Sequence, residues 1–261
     1  MKFFEPIINF LISFFQDSTL IRQEQAELEA VQIASCAAIG NNKKYIICNG
    51  KPVFIDWDKV ITHQEVEGLQ LPENCYKKVK NIRSPQMLVA HWDVCLSSKS
   101  CFKILKNRHL SVHFLIDNDG TIYQLMDCKD IGYHAGNRKV NNNSVGVEIS
   151  NAYNVRYQEV YKQKGFGERP ILTDSRVHGR TLKPYLGFYP VQVEAFKKLA
   201  IALNSIYHIP LKSPLTTTVD SIVSSGQYKG IVNHYHVTKR KIDCAGFNWN
   251  EILKKEKHLD V

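Results

Sequence analysis

The chain has 261 residues, of which 44% are hydrophobic and 23% are charged. That size and composition suffice for one sizeable hydrophobic core with a small appendage, and they exclude an intrinsically disordered protein. The formal net charge of +9 favours an anionic partner, such as nucleic acid, a membrane surface or a cell-wall polymer. A soluble basic protein without such a partner has the same charge balance.

Cysteine usage indicates the redox compartment. The seven cysteines are an odd number and lack the short, regular spacing of a disulfide framework. Cys95 and Cys101 are close enough along the chain for a local bridge, but their spacing alone does not establish one. We therefore expect mostly reduced thiols and synthesis in a reducing compartment.

The first apolar stretch, residues 3–15, has some features of a signal peptide. Glu5 and Pro6 interrupt it, however, and no small-residue cleavage site follows. The stretch is also too short to span a membrane. We expect an amphipathic helix packed on the body, no integral membrane segment, and synthesis in the cytoplasm without a clear signal peptide.

Residues 1–84 are predicted to form an N-terminal extension that carries no catalytic motif. Apolar residues at helical spacing predict a helix over residues 23–38. Two short predicted strands, residues 45–48 and 52–55, flank Asn49-Gly50, a hairpin turn signal. Packing on the body, wall binding and membrane contact are all compatible roles for this extension.

Residues 85–261 alternate between strand and helix patterns, and we assign them to the main domain. In chain order we predict a strand over 87–90, a helix over 101–107, strands over 111–116 and 121–126 joined by a tight turn, a strand over 145–149, a helix from Pro190, a strand over 231–232 and a helix over 249–255. Residues 152–189 show no regular pattern, and a connection of that length is usually functional or mobile.

Residues that can bind or activate a metal ion follow the apolar strands. His91 and His234 each end such a strand, and Glu148 lies within one. The residues after His234 add a lysine and two anionic groups, namely Lys241, Asp243 and Cys244. Two histidines, a third anionic ligand, a carboxylate and a lysine are what a catalytic zinc site with an open fourth position requires.

Four other histidines are expected to be structural or to lie on the surface, namely His109, His113, His178 and His208. His113 lies between apolar strand residues, which is typical of a core histidine with satisfied hydrogen bonds. His236 is a weaker ligand candidate, because two positions along a strand would place it on the same face as His234.

Four motifs in the main domain resemble a known family in their order and spacing. They are Ser111-Val112-His113-Phe114-Leu115-Ile116-Asp117, Asp119-Gly120-Thr121-Ile122-Tyr123-Gln124, His134-Ala135-Gly136 and Asn143-Ser144-Val145-Gly146-Val147-Glu148. Together they are similar to the type 2 N-acetylmuramoyl-L-alanine amidases, which include phage lysozyme-type amidases and peptidoglycan recognition proteins. The resemblance covers about residues 85–255.

The resemblance implies a zinc ion held by His91, His234 and a third residue. In the family a lysine often stands two positions before that third ligand, so Lys241 selects Asp243. Cys244 instead resembles the cysteine form of the same site. We favour Asp243 and keep Cys244 as the alternative, since zinc accepts both carboxylate oxygen and thiolate sulfur.

The resemblance also implies roles for four further residues. Glu148 matches the family's general base, and its alternative is a surface carboxylate on an edge strand. Lys241 would stabilise the oxyanion, and its alternative is an ordinary exposed lysine. His134 and Asn143 match substrate-contacting positions, although polar residues that stabilise a loop would have the same pattern. Val112 occupies the position of a tyrosine that some relatives use, which leaves Glu148 as the evident base.

We expect an α/β fold with a mixed, mostly antiparallel central sheet flanked by helices, together with the small N-terminal extension. By resemblance, zinc lies in a surface groove at one end of the sheet. The implied reaction hydrolyses the amide between N-acetylmuramic acid and L-alanine of the stem peptide. Peptidoglycan is the expected partner of a monomeric enzyme that acts on the bacterial cell wall.

Two other functions compete with this hypothesis. A non-catalytic peptidoglycan-binding module would lack a ligand or the base, and all of these are present. A nucleic-acid-binding protein is suggested only by charge and by the aromatic, basic segment 152–189, so we expect no nucleic-acid partner. Reduced cysteines and the lack of a clear signal favour a phage-type lysin, although a bacterial autolysin or recycling enzyme carries the same residues.

Overall fold

The computed structural model of the protein describes residues 43–254. Its strands are β1 (Lys44–Cys48), β2 (Lys51–Ile55), β3 (Val60–Ile61), β4 (Tyr76–Lys77), β5 (Met87–Trp92), β6 (Phe114–Ile116), β7 (Ile122–Gln124), β8 (Ile131–Gly132), β9 (Ser144–Ile149), β10 (Ile171–Leu172), β11 (Arg176–Val177), β12 (Arg180–Thr181), β13 (Tyr185–Leu186) and β14 (Gly230–Asn233). Its α-helices are α1 (Ser98–Asn107), α2 (Arg138–Asn142), α3 (Gln158–Gln163), α4 (Pro190–Tyr207), α5 (Ser221–Ser224) and α6 (Trp249–Lys254). Short 3-10 helices cover Glu73–Cys75, Val155–Tyr157 and His234–His236. The predicted helix over 23–38 and the apolar stretch over 3–15 lie outside the described residues.

A six-stranded sheet occupies the centre, in the order β14-β5-β9-β6-β7-β3. Its neighbouring pairs are parallel except for the hairpin pair β6-β7, which is antiparallel. The predicted α/β class with a mixed, helix-flanked sheet is confirmed, but the expectation that the sheet is mostly antiparallel is wrong. Parallel pairs arise because long crossovers, rather than tight turns, lead from β5 to β6 and from β9 to β14.

The central strands are buried on both faces, which explains their nearly continuous apolar sequences. Every residue of β5 is buried. Leu88, Ala90 and Trp92 face the main core, whereas Val89 belongs to a smaller cluster on the other face. Because side chains alternate along a strand, His91 emerges on that second face, close to the end of β5.

Helix α4 covers the main core. It begins at Pro190, as predicted, where a missing amide hydrogen costs nothing because first-turn amides lack helical partners. Phe196 and Leu199 on its apolar stripe are fully buried against the sheet. In the described part of the chain, none of the helices combines the length and the apolar character needed to cross a bilayer.

Residues 44–61 add a hairpin and a strand to this framework. β1 and β2 pair across the turn at Asn49-Gly50, as predicted. The side-chain amide of Gln124 holds both the N–H and the carbonyl of Ile47 at 2.7 Å. β3 pairs in parallel with β7 at the edge of the main sheet. The domain boundary between residues 84 and 85 stays a prediction.

The segment over residues 152–189 contains more regular structure than its sequence pattern predicts. It includes α3 and two small antiparallel sheets, β10-β13 and β11-β12. Each of these strands has only two residues, which is too short for a periodic pattern to be visible.

Arg169 attaches this segment to the body. Its guanidinium carbon lies 4.2 Å from the ring centroids of both Tyr161 and Tyr189. It donates to the main-chain carbonyls of Gly187 and Ser150 at 2.9 Å each. Only 2% of Arg169 is exposed, so these contacts replace the water that a surface arginine would bind.

Candidate metal centre

Neighbouring parallel strands place chemically active side chains at one edge of the sheet. His91 in β5 is directly opposite Glu148 of β9 in the strand register. β14 lies on the other side of β5 and leads into the 3-10 helix that begins at His234. Because parallel strands end at the same edge, residues from distant parts of the sequence meet there.

Three buried side chains converge at this edge. Nδ1 of His91 lies 2.9 Å from Nδ1 of His234. Oδ2 of Asp243 lies 3.2 Å from Nδ1 of His91 and 3.1 Å from Nδ1 of His234. We call this arrangement of His91, His234 and Asp243 the His-His-Asp triangle.

The triangle fits a metal ion better than it fits a network of hydrogen bonds. Two Nδ1–H groups cannot both point at one carboxylate oxygen while their nitrogens lie 2.9 Å apart. A tetrahedral zinc ion with bonds of about 2.0–2.1 Å places its ligands about 3.3 Å apart, close to the separations found here. Two imidazoles and one carboxylate form a donor set that leaves a fourth position open.

Burial sets the protonation states that a metal would need. Burial and the neighbouring His234 lower the pKa of His91 to about 4, so this imidazole is neutral at pH 7 and its lone pair is available. Burial by itself raises the pKa of Asp243, but hydrogen bonds with the two histidines bring it below the usual carboxyl range. His91 therefore presents a neutral imidazole nitrogen, and Asp243 presents a charged carboxylate oxygen.

Both histidines of the triangle have partners for the ring nitrogen that faces outward. Nε2 of His234 lies 3.4 Å from the carbonyl oxygen of Ala135. Nε2 of His91 lies 3.0 Å from Nδ1 of His134, and Nε2 of His134 lies 3.2 Å from Oγ of Ser144. A partner for Nε2–H fixes the tautomer in which Nδ1 is free to bind a metal.

The alternative ligands point elsewhere. Cys244 is fully buried in the main core. His236 belongs to a 3-10 helix rather than to a strand, so the expectation that it shares a face with His234 is wrong. Its Nδ1 accepts from a main-chain amide, and its Nε2 donates to the carbonyl of Thr216. The structure thus brings Asp243, and not Cys244, to the two histidines.

His113 is confirmed as a core histidine. It is fully buried, its Nδ1 accepts from the amide of Gly146 at 3.0 Å, and its Nε2 donates to the carbonyl of Asp130 at 3.0 Å. Burial and the nearby charge of Arg83 lower the pKa of His113 to about 3. Both ring nitrogens are therefore used within the fold by a neutral imidazole.

Glu148 lies beside the triangle with an unpaired carboxyl oxygen. The neighbouring Val147 and Ile149 are buried in the main core, so Glu148 points to the opposite face of β9. Its Oε2 is buried and has no hydrogen-bond partner within residues 43–254. A buried carboxyl oxygen without a partner, next to possible metal ligands, is a typical sign of a functional site.

The electrostatic surroundings of Glu148 favour its protonated form more than water does. Burial, followed by the charges of Asp93 and Asp243, raises the pKa of Glu148 well above its usual value, whereas Lys241 acts in the opposite direction. A carboxyl group whose pKa moves towards neutrality is suited to accept a proton and later return it.

A groove of about 630 Å³ opens beside the triangle. Its lining includes His134 and His234 together with three basic side chains, Arg108, Arg240 and Lys241. Lys241 is exposed there, as a residue that meets a ligand would be. Clustered positive charge attracts anionic ligands into such a groove.

Two asparagines that the sequence motifs do not single out, Asn137 and Asn141, line the groove. Asn143 is not among the residues that line it, and its side chain donates to the carbonyl of Gly226 at 2.9 Å. Asn141 lines the groove instead, and its Oδ1 accepts from the amide of Ala135 at 2.9 Å. A run of three asparagines carries no signal that distinguishes them. Substrate contacts by His134 and Asn143 stay predictions.

A second group of possible ligand atoms lies after β5. Asp93, Cys95 and Cys101 each have one such atom within 4.8 Å of the others. The carboxylate of Asp93, however, already accepts from the amides of Cys95 and Asn151 and from the hydroxyl of Ser150. These bonds shape the loop after β5, and we assign this group a structural role.

Comparisons with known proteins give one family. A family model described as N-acetylmuramoyl-L-alanine amidase (Amidase_2) matches residues 81–246, which is more than half of the chain. A search of curated proteins found no match.

Several solved structures are similar in fold. AmiD from E. coli, solved with anhydro-N-acetylmuramic acid-L-Ala-D-gamma-Glu-L-Lys, is 19% identical with a TM-score of 0.44; the match covers 69% of this chain and 60% of AmiD. AmpDh3 from Pseudomonas aeruginosa, solved with an anhydromuramic pentapeptide, is 20% identical with a TM-score of 0.44, over 72% of this chain and 66% of AmpDh3. The Ph2119 endolysin from a Thermus scotoductus bacteriophage is 14% identical with a TM-score of 0.42, over 75% of this chain and 97% of the endolysin. This chain thus spans about 60% of the length of the AmiD chain.

The family match contains the whole site described above. Residues 81–246 include the His-His-Asp triangle, Glu148 and most of the central sheet. The protein belongs to the N-acetylmuramoyl-L-alanine amidase family.

Proposed function

We propose that the protein is a zinc-dependent amidase that hydrolyses the amide between N-acetylmuramic acid and L-alanine of peptidoglycan. The observation that carries this proposal is the His-His-Asp triangle beside a basic groove, in a chain of the amidase family. When bound, a zinc ion supplies Lewis-acid activation of water and of the scissile carbonyl. His91, His234 and Asp243 would hold it.

Glu148 is the proposed general base. Its position opposite His91 and its orphaned Oε2 support this role. The carboxylate takes a proton from the attacking water and then delivers it to the leaving amine of L-alanine. Lys241 on the groove lining supplies positive charge, which stabilises the negative charge that develops on the scissile carbonyl oxygen.

The basic groove favours an anionic muramyl peptide. Arg108, Arg240 and Lys241 complement the carboxylates of the stem peptide, and His134 and Asn143 are the proposed contacts to the substrate. We propose a monomeric, phage-type lysin that acts on the bacterial cell wall.

The test combines zinc content with the release of stem peptide from purified sacculi. We compare the wild type with Glu148→Gln and with Glu159→Gln, a control glutamate exposed on α3. We expect Glu148→Gln to keep zinc and lose about 10²–10⁴-fold in activity, whereas Glu159→Gln behaves like the wild type.

Two results contradict the proposal. A wild type that holds zinc but leaves every sacculus intact favours the non-catalytic binding module. A wild type that holds no zinc removes the metal from the mechanism.

A further inference from the structure

The ring of His134 lies between the triangle and strand β9. Its Nδ1 faces Nε2 of His91 at 3.0 Å, and its Nε2 faces Oγ of Ser144 at 3.2 Å. The two rings meet edge to face, with centroids 5.2 Å apart. One edge of His134 reaches the groove, but both ring nitrogens are already occupied by these partners.

Proton placement along these contacts is determined once a metal takes Nδ1 of His91. The only N–H hydrogen of the neutral His91 ring is then on Nε2, and it is donated to Nδ1 of His134. His134 must therefore carry its own hydrogen on Nε2, and Oγ of Ser144 accepts it. The three side chains form one directed chain of hydrogen bonds that ends in the sheet.

Strand β9 leaves this ring no room to move towards the sheet. A Cβ atom at Gly146 would lie 2.8 Å from both Cγ and Cδ2 of His134, which is far inside van der Waals contact. The backbone of Gly146 is itself fixed by His113, whose main-chain amide donates to its carbonyl at 2.9 Å and whose Nδ1 accepts from its amide. The glycine thus allows a close approach that holds the His134 ring flat against the strand.

We propose that His134 is a positioning residue, which fixes the ring orientation and the tautomer of His91 by a hydrogen bond anchored through Ser144. The inference rests on the proposed metal site. It differs from the role expected by resemblance, in which His134 contacts substrate, because it predicts an effect on metal binding without substrate present.

The experiment measures zinc affinity by competition with a chromophoric chelator, without substrate. His134→Leu removes both polar contacts, Ser144→Ala removes only the anchor, and His134→Asn keeps an acceptor for His91. His208→Asn, a change of an exposed histidine after α4, controls for the number of histidines.

We expect His134→Leu to weaken zinc binding roughly 10–100-fold, the usual effect of losing a partner of a ligating histidine. Ser144→Ala is expected to have a smaller effect in the same direction, His134→Asn to recover most of the affinity, and His208→Asn to match the wild type. Urea unfolding of the zinc-free proteins shows which variants are folded, and Ser144→Ala and His134→Asn keep the test usable if the leucine variant fails to fold.

An unchanged zinc affinity in folded His134→Leu, together with a raised KM for muramyl peptide, would overturn the inference in favour of substrate contact. A zinc affinity of His134→Asn that is no higher than that of His134→Leu would also overturn it. These outcomes are distinct from a failure of the proposed function, in which the wild type binds zinc normally but releases no stem peptide.

Discussion

The substitution Arg169→Met tests how the segment over residues 152–189 is held to the domain. Arg169 is a buried cation without a carboxylate partner among its contacts; it uses two carbonyls, two side-chain amide oxygens and two aromatic rings. Burial lowers the pKa of Arg169, but a guanidinium stays charged at neutral pH. Methionine fills similar space and removes every hydrogen bond of the Arg169 side chain, while the main-chain bonds of residue 169 with Gln158 remain.

The loss of stability follows from the acceptors left behind. Ser150 keeps a second donor to its carbonyl from the side chain of Gln192, and Oε1 of Gln192 keeps the amide of Tyr189. Oδ1 of Asn118 and the carbonyl of Gly187 lose their donor from Arg169. At about 1–3 kcal/mol for each unsatisfied buried acceptor, the cost is about 2–6 kcal/mol. The substitution also removes the desolvation penalty of a buried charge, which offsets part of this cost. We therefore expect the free energy of unfolding to fall by about 2–4 kcal/mol.

Urea unfolding measures this loss. With a slope of about 2–3 kcal/mol per molar urea, the midpoint should fall by about 1–2 M. Arg180→Met, a change of an exposed arginine on β12 of the same segment, is the matched control and should stay within about 0.5 kcal/mol of the wild type. A change below 0.5 kcal/mol for Arg169→Met as well would refute the reasoning.

Three further predictions concern the site and its support. Gly146→Ala should push His134 aside, weaken zinc binding and cost about 1–3 kcal/mol of stability, because the new Cβ would meet the ring at 2.8 Å; equal zinc affinity would contradict this. Asp243→Ala should lose zinc by mass spectrometry while Cys244→Ala keeps it, and the opposite result would assign the ligand to Cys244. His113 is neutral in the fold because burial lowers its pKa to about 3, so the unfolded chain binds the extra proton below about pH 6.5. The free energy of unfolding is therefore unaffected by His113 above that pH and falls by up to about 1.4 kcal/mol per pH unit on acidification below it. In His113→Gln, the decline of the free energy of unfolding with falling pH should be shallower by that amount.

Local sequence patterns correctly predicted the helices and strands whose environment is reflected in the types of consecutive residues. The buried run before His91 and the turn of the β6-β7 hairpin are examples, because burial on two faces and a tight turn each leave a mark on consecutive residues. Strand direction leaves no such mark. It depends on the path of the crossovers, and for this reason the mostly antiparallel sheet was a wrong expectation.

The sequence likewise predicts some residues of the site and leaves others open. The motifs that resemble the amidases contain His134 and Glu148. His91 lies near the end of an apolar strand, and His234 follows one. The choice between Asp243 and Cys244 depends on which of two adjacent side chains faces the histidines, and no periodic strand pattern surrounds them. The contact between His91 and His134 joins residues 43 positions apart; its only local trace is Gly146, an isolated glycine in a strand, which indicates a close approach.

The wide spacing of the triangle along the sequence has a consequence for biosynthesis. His234 and Asp243 follow His91 by 143 and 152 residues. A ribosome that has translated β5, β9, β6 and β7 has made most of the central sheet but only one of the three proposed ligands. Under the proposed function, the growing polypeptide cannot hydrolyse the wall until translation has passed residue 243. A protease that trims the chain back past residue 234 would return the enzyme to the same inert state while sparing those four strands.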